Sequence, residues 1–558
     1  ELEADVAVVG SGAGGGCVAG VLTGRGLRIV VLEKGPLCTA ADFAAWTEAE
    51  AYENLYERQA LAATEDGGIA VLAGACIGGG TTVNWAASFR TPNCVRRDWS
   101  ERLGLKRFAP GGPFDAALEA VSTRLGVTTE RSHNRRGGGG GGGGGGAVRY
   151  NANNELLWRG AAALGCAPRP VPRNVGACTD CGACGGGCVA GAKKCTRTTW
   201  LEDAARTGDL TLFPRMRVDR VLRDAIGRAT GVATAAAAAG GGPYTLTVHA
   251  RAVVVAAGAL HTPALLLRSG LRHPKIGRHL ALHPVVGVAG LFPAIDTELD
   301  RGVGMGVVVS DMLPHADSGG SYGSYGSSSG GTGFAVETPP AHPGLLAGVL
   351  PWEGALLFRV TMAMTRHTAA FIAVPRDTSC AANRVVLGRD GEPVVRYAVT
   401  RHDRALLRHG TAAMSRLMRA AGADVVMPIH AGGRWFSCCG GSDGGRGGDG
   451  ATEDASFDRF VSSLPVVAYR TPIISAHQMG SCRMAAARGD GPVGPSGEAW
   501  EAPGLFVADA STLPTSLGIN PMVTVESVAW MIAHDVVDSL GASKAARDAH
   551  RGDSSMTW

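Results

Sequence analysis

Three glycines near the N-terminus are the first residues whose spacing suggests chemistry. Gly10, Gly12 and Gly15 form G-x-G-x-x-G directly after an apolar run at 6–9. The first glycine permits a tight turn, the second lets the backbone approach a pyrophosphate, and the third lets a helix pack on a strand. Glu33 ends the next apolar run, ~20 residues further on, where a carboxylate can accept hydrogen bonds from ribose hydroxyls. The pattern predicts an adenine dinucleotide site and favours FAD or NAD over NADP.

A cysteine cluster in the second hundred residues forms another group with potential chemistry. Cys178, Cys181, Cys184 and Cys188 follow the spacing C-x2-C-x2-C-x3-C. This matches the ferredoxin run that binds iron–sulfur clusters, except that Val189 replaces the usual proline. Two interpretations follow: a bound iron–sulfur cluster, or a glycine-rich loop with free thiols or a local disulfide.

The composition indicates what kind of protein contains these motifs. A chain of 558 residues is expected to form two or three domains, and 45% hydrophobic with 18% charged residues is typical of a globular protein. A net charge of +4, without Lys/Arg-rich runs, argues against nucleic acid as a partner. No uncharged apolar run reaches the ~20 residues of a membrane-spanning helix. Retained thiols would favour a reducing, intracellular compartment.

Two further apolar strands are predicted to return the chain to the glycine-rich turn. Residues 253–257 form one strand and precede a helix at 259–269, with Pro263 in its first turn, where proline is tolerated. Residues 505–508 form the other and end in Asp509. A helix then opens at 520 and runs to about 539. An apolar strand, an acid and a helix start suit a cofactor contact at the C-terminal edge of a sheet.

The remaining segments predict a second domain and several loops. Residues 40–63 and 93–136 have helical patterns, whereas 284–464 combine short alternating strands with one amphipathic helix at 401–421. This mixture predicts a domain built on an antiparallel sheet. Flexible surface loops are predicted for three Gly/Ser-rich segments, at 137–146, 318–333 and 440–450.

Several blocks together resemble the glucose–methanol–choline (GMC) family of flavin oxidoreductases. The glycine cradle is one block, and 78–84 (GGGTTVN) resembles the family's first signature. Residues 258–271 resemble the second signature, with Arg272 where a glycine is usual. His477 and Asn520, 43 positions apart, match the family's catalytic pair in type and order. Within the family, the chain resembles long-chain fatty alcohol oxidases, a branch indicated by residues 83–85, 182–191, Lys193, 198–201 and 477–483.

The resemblance implies roles for individual residues. His477 would take the hydroxyl proton of an alcohol as a base, and Asn520 would orient the hydroxyl as a hydrogen-bond donor. His261, His279 and His283 are interpreted as structural. Residues implied in binding FAD are Gly10, Gly12, Gly15, Glu33, Gly79, Gly80, Asn84, Val218, Gly258, Asp509, Pro521 and Met522.

The fold class expected from these patterns is α/β, with a Rossmann-like FAD domain and a substrate domain containing a mainly antiparallel sheet and helices. The FAD domain would combine 1–110, 195–283 and 465–545, with a helical, Cys-rich insertion at 111–194 and a substrate domain at 284–464. The expected reaction is oxidation of a primary, long-chain alcohol to the aldehyde, with dioxygen or another electron acceptor. Alternatives are a sterol oxidase, a sugar or polyol dehydrogenase, or a non-catalytic flavin-binding assembly protein. A lipid substrate would also suit peripheral membrane association.

Overall fold

A computed structural model of the protein describes residues 1–129, 150–234, 236–237, 243–312, 333–438 and 450–553. The strands in these ranges are β1 (Leu2–Val9), β2 (Ile29–Leu32), β3 (Ala70–Val71), β4 (Pro168–Pro170), β5 (Leu210–Phe213), β6 (Val218–Arg223), β7 (Ala229–Thr234), β8 (Ala236–Ala237), β9 (Pro243–Tyr244), β10 (Thr247–Val255), β11 (Val286–Leu291), β12 (Val307–Val309), β13 (Phe334–Glu337), β14 (Thr368–Pro375), β15 (Arg384–Leu387), β16 (Pro393–Arg396), β17 (Val425–Pro428), β18 (Phe436–Ser437), β19 (Ile474–Ser475) and β20 (Leu505–Val507).

The helices are α1 (Ala13–Leu22), α2 (Ala40–Ala45), α3 (Glu48–Leu55), α4 (Gly80–Val83), α5 (Asn93–Arg97), α6 (Pro113–Arg124), α7 (Ala152–Ala163), α8 (Trp200–Thr207), α9 (Gly258–Arg268), α10 (Pro343–Val349), α11 (Ala355–Ala363), α12 (Arg401–Ala420), α13 (Gly450–Ser462) and α14 (Met522–Asp553). Short 3-10 and π-helical turns join several of these elements. Among the described helices, none combines the length and apolar character that crossing a bilayer requires.

The first sheet contains the N-terminal strand and has the order β5-β2-β1-β10-β7-β6, with β20 also paired to β10. Strands β5, β2, β1, β10 and β20 are parallel, whereas β7 and β6 are antiparallel at one edge. Both faces are covered: α1 and α14 pack on one side and α9 on the other. Burial on both faces explains the continuous apolar runs of these strands. The predicted Rossmann-like sheet is confirmed.

The second sheet has the order β18-β17-β11-β14-β13-β12-β4, and every neighbouring pair is antiparallel. Helix α12 covers one face through an apolar stripe that includes Leu407, Met414 and Leu417. The helix begins where the Thr400 side chain accepts the Asp403 N–H, a typical N-cap. The predicted antiparallel sheet with packed helices is therefore confirmed.

Two predicted helices differ from the structure for identifiable reasons. The helix predicted over 40–63 is interrupted because Thr47 has extended backbone and its side chain accepts the Glu50 N–H, which starts α3. Pro263 is the sixth residue of α9 and not in its first turn. A proline there leaves the Ala259 carbonyl without its intrahelical donor, and the hydroxyl of Ser481 donates to this carbonyl at 2.6 Å.

Elements of the insertion predicted over 111–194 pack against two different cores. Helix α6 packs against α14 beside the first sheet, whereas α7 packs against α12 and β4 extends the second sheet. Their apolar stripes face different cores, which local patterning does not distinguish. Helix α14 also extends past the predicted end near 539. The loops predicted at 137–146, 318–333 and 440–450 lie outside the described residues, apart from residues 333 and 450.

Candidate active site

The first glycine motif forms a tight cradle at the carboxyl end of β1. A Cβ atom on Gly10 would lie 2.4 Å from the Ala256 carbonyl oxygen, and one on Gly15 would lie 1.9 Å from the Gly10 carbonyl oxygen. These distances exclude side chains at both positions. Gly12 precedes α1 and faces Gly79 of the second glycine motif, so two glycine backbones border the same space. The start of α1 borders this space and suits a pyrophosphate.

Glu33 is held at the end of β2 by the cradle itself. One carboxylate oxygen accepts the Ser11 N–H at 2.9 Å and the Ser11 hydroxyl at 2.8 Å, and the other accepts the Gly35 N–H at 2.9 Å. The oxygen that accepts from Gly35 keeps further acceptor capacity for a group in the cavity that Glu33 lines. This arrangement fits the ribose of an adenine dinucleotide.

The opposite end of the cradle is formed where β10 and β20 end side by side. Asp509 is buried, and one of its carboxylate oxygens accepts the Gly258 N–H at 2.8 Å and the Thr262 hydroxyl. The other oxygen accepts the Ser511 N–H at 2.8 Å. The carboxylate therefore ties the start of α9 to the chain leaving β20. Burial raises the pKa of Asp509, and these hydrogen bonds oppose the shift.

A buried lysine links the cysteine-rich loop to the second glycine motif. The Nζ atom of Lys193 donates to the Asn84 carbonyl at 2.6 Å and to the Cys184 carbonyl at 2.9 Å. The side-chain amide of Asn84 in turn contacts the Met522 sulfur at 3.0 Å. Lys193 was not predicted to have this role. The available signal was a pair of lysines, Lys193 and Lys194, after the cysteines in a loop of mostly small residues.

The four clustered cysteines border one small cleft, but their arrangement does not support an iron–sulfur cluster. All four thiols are free. Within the part of the chain that the structure describes, no group of three or more His, Cys, Asp or Glu side chains has an arrangement that could hold a metal ion. Backbone N–H groups approach two of the sulfurs, of Cys178 and Cys188, at 3.4 and 3.3 Å. The loop interpretation with free thiols fits this geometry.

His477 is joined to a second histidine at the inner end of the cavity. Nδ1 of His283 lies 3.2 Å from Nδ1 of His477; His283 is fully buried, whereas His477 is partly buried and lines the cavity. Burial lowers the pKa of each imidazole to about 3, with a smaller contribution from His283 at His477 and from Arg376 at His283. Both rings are therefore neutral at physiological pH. His283 also has a φ of 48°, uncommon for a residue other than glycine and frequent at functional sites.

Hydrogen bonding assigns the proton on each ring. The Gly518 N–H donates to Nε2 of His283 at 3.0 Å, so the single proton of neutral His283 lies on Nδ1. That N–H faces Nδ1 of His477, which must accept it. Neutral His477 therefore carries its own proton on Nε2, the nitrogen near Asn520. Asp377 fixes the pair by accepting the His283 backbone N–H at 3.2 Å.

Asn520 and Glu337 complete the polar end of the cavity. Nδ2 of Asn520 lies 3.4 Å from Nε2 of His477, and the amide can turn its oxygen toward that N–H. Glu337, the last residue of β13, is fully buried, and neither of its carboxylate oxygens has a hydrogen-bond partner among the described residues. Burial raises the pKa of Glu337 to about 7, although the neighbouring Asn520 amide opposes the shift. An acid that ends an entirely apolar strand was the sequence signal for Glu337.

One cavity of about 520 Å³ connects these features. Of the predicted site residues, only Gly15 and the four cysteines do not border it; Gly15 instead packs beneath Gly10. Three cavity residues that were not predicted, Lys34, Glu57 and His261, contact one another near Glu33. Apolar side chains in or next to the second sheet and in α10 line another part of the wall, among them Met305, Leu345, Leu346, Val349, Phe371, Ile372, Val374 and Ile429.

The fold has counterparts among solved structures. A pyridoxine 4-oxidase described as from Mesorbium loti superimposes with a TM-score of 0.63, covering 95% of this chain and 98% of that one at 18% identity. Formate oxidase of Aspergillus oryzae gives a TM-score of 0.64, with 96% and 98% covered at 16% identity. At these identities the likeness concerns the fold alone.

Relatives of similar sequence identify the family of this chain. Long-chain-alcohol oxidase FAO4A of Arabidopsis thaliana is 34% identical over 554 residues, which cover 98% of this chain and 70% of the relative. FAO4B of the same plant is 36% identical over 553 residues, covering 97% and 68%. Two models described as GMC oxidoreductase, one N-terminal and one C-terminal, match residues 52–285 and 381–529. The chain therefore belongs to the GMC oxidoreductase family and is an oxidoreductase.

Proposed function

We propose that this protein is an FAD-dependent oxidase that converts a primary, long-chain alcohol to its aldehyde, with dioxygen as the electron acceptor. The observation that carries the proposal is one cavity that connects a dinucleotide cradle, an acid–base group and an apolar wall. The cradle supports FAD, because Gly10 and Gly12 border the space and Glu33 can reach a ribose. When bound, FAD supplies the acceptor for a hydride from the carbinol carbon.

The three polar side chains at this end of the cavity would have different roles. When the alcohol binds, Nε2–H of His477 would turn from Asn520 to hold the hydroxyl oxygen, because the bond from His283 leaves that nitrogen protonated. A protonated nitrogen cannot accept the hydroxyl proton, so the base role expected for His477 passes to Glu337. The carboxylate of Glu337 has no competing partner among the described residues, and its pKa of about 7 suits proton transfer at neutral pH. Asn520 would orient the hydroxyl between them.

The apolar wall supports the long-chain substrate class. Side chains such as Met305, Leu346 and Phe371 border the same cavity as Glu337 and His477. An alkyl chain lying against them would leave water, a transfer that contributes ~0.8 kcal/mol for each CH₂ group buried. The names of the Arabidopsis relatives point to the same class of substrate.

Anaerobic flavin reduction tests the reaction and its alternatives together. The purified protein is mixed in turn with a long-chain primary alcohol, cholesterol and glucose, and bleaching of the flavin absorbance is followed. We expect the long-chain alcohol to bleach the flavin fastest, and admission of air to restore the colour with release of hydrogen peroxide. Faster reduction by cholesterol or by glucose would assign a sterol oxidase or a sugar dehydrogenase. Bound flavin that none of these alcohols reduces would support a non-catalytic assembly protein.

A further inference from the structure

The segment 343–363 presents an apolar surface that the described chain leaves uncovered. It comprises α10, a turn with Trp352, and α11, and no residue of either fully described helix is buried. Exposed fractions are 68% for Trp352, 79% for Leu356 and 45% for Val360. We call these three residues, with Ala363, the α10–α11 surface.

The surface is organised along one helical face. Leu356, Val360 and Ala363 follow a spacing of four and three residues, which places them on one stripe of α11. Trp352 lies four residues before Leu356, and its ring packs 5.1 Å from the ring of Phe358, which is on the other side of α11. The single charged residue of α11 is Arg359, and the helix contains no acid. If a partner covered this stripe, its apolar side chains would leave water, and this transfer would stabilise the bound state.

The same segment also forms part of the substrate cavity. Leu345, Leu346 and Val349 of α10 border the cavity that contains Glu337 and His477. One short segment therefore has an inner side on the cavity and an outer side on solvent. An alkyl chain would therefore meet apolar side chains of this segment on its inner and on its outer side.

Chemistry around the surface favours a lipid bilayer over a protein. A second exposed tryptophan, Trp435, lies three residues after Gly432, whose N–H donates to Glu353 beside Trp352. Tryptophans at the border of an apolar surface are typical of membrane interfaces. Exposed arginines Arg359 and Arg434 can contact lipid phosphates.

We propose that the α10–α11 surface docks on a phospholipid bilayer and takes up the alcohol from it directly. The identity of the substrate rests on the proposed function, whereas docking itself depends only on the exposed side chains. Long-chain alcohols partition into bilayers, so a docked enzyme would meet its substrate at a far higher concentration than in water.

Vesicle flotation of the FAD-loaded protein tests docking separately from catalysis. Phosphatidylcholine vesicles without any alcohol are mixed with the wild type and with the double variant Leu356→Asp/Val360→Asp. We expect the variant to float at least about tenfold less, since tenfold corresponds to only ~1.4 kcal/mol of binding. The matched control is Ile226→Asp, which changes an equally exposed aliphatic residue at the turn between β6 and β7 and should float like the wild type.

Activity gives a second readout. With the alcohol presented in vesicles, kcat/KM of the double variant should fall by about the same factor as flotation. With a short, water-soluble alcohol it should equal the wild type, because neither residue borders the cavity. Flotation without flavin reduction by any alcohol would leave docking intact and reject the proposed reaction.

Three outcomes overturn the proposal. In the first, the wild type does not float. In the second, the double variant floats as well as the wild type. In the third, the substitutions change the oligomeric state or the capture of a protein partner and leave flotation unchanged, which would assign the surface to a protein contact.

Discussion

The rings of His283 and His477 meet through their Nδ1 atoms, 3.2 Å apart, with their planes at 85°. The Gly518 N–H at the far side of His283 determines the direction of this hydrogen bond. In the proposed mechanism His477 therefore presents a donor to the cavity, and Glu337 accepts the hydroxyl proton. Replacing His477 and replacing Glu337 should distinguish the donor from the acceptor.

Replacement of His477 by alanine should slow flavin reduction by ~100- to 1,000-fold, the loss typical for one donor to a developing oxyanion. FAD content should be unchanged, because the cradle lies on other elements. Stopped-flow reduction with a long-chain alcohol measures the effect. His249→Ala, at the opposite end of β10, is the control and should reduce at the wild-type rate. A wild-type rate in His477→Ala would exclude this residue from the chemistry.

Glu337→Gln should lose ~100- to 10,000-fold in the rate of flavin reduction, as expected when a positioned base is removed. In the wild type the rate should rise with pH and level off above about 7, because the carboxylate must be ionised to accept a proton. The residual rate of Glu337→Gln should show no such inflection. Exposed Glu119→Gln serves as the control. If Glu337→Gln keeps the inflection and the rate, another group is the base.

Gly15→Ala should abolish FAD binding or destabilise the fold, because the new Cβ would lie 1.9 Å from a backbone oxygen that cannot move without disturbing the cradle. Flavin released on denaturation and the thermal unfolding midpoint are the measurements. Gly489→Ala is the matched control, since a Cβ there meets no atom within 4 Å. Recovery of tightly bound NAD in place of FAD from the wild type would contradict the cofactor assignment.

Lys193→Met should destabilise the protein by ~1–3 kcal/mol and lower the FAD content, because the carbonyls of Asn84 and Cys184 lose their buried donor. Cys181→Ser, at an exposed position of the same loop, should be active and equally stable. Denaturant unfolding and elemental analysis test both statements. Stoichiometric iron and labile sulfide in the active enzyme would reverse our interpretation of the loop.

Glu526 should make unfolding depend on pH. Burial raises its pKa to about 8, although Trp200 donates to one carboxylate oxygen. Between the ordinary pKa, about 4.5, and 8, the unfolded chain releases a proton that the folded one retains. Stability should therefore fall as pH rises through this window, by up to about 1.4 kcal/mol per pH unit. Glu526→Gln should remove that contribution, whereas exposed Glu53→Gln should not; equal pH dependence in all three proteins would refute this.

Features that depend on residues close together in the sequence could be predicted from the sequence alone. The Gly10 turn, the apolar strands β1 and β10 and the acid at Glu33 each follow from local sterics or from burial on both sheet faces. The order of motifs along the chain also indicated the family. Thirteen of the fourteen residues predicted for catalysis and FAD binding border one cavity, since parallel strands bring their carboxyl ends to the same edge.

Tertiary structure alone decided which acid and which second histidine join His477. Glu337 reaches the cavity through the antiparallel register of β13 on β14. His283, whose own φ is 48°, meets His477 from 194 positions away in the sequence. Neither pairing has a local pattern, because contacts between distant segments depend on how two sheets pack. The proton on His477 and the pKa of Glu337 likewise follow from burial and from a single N–H of Gly518, which exist only in the folded chain.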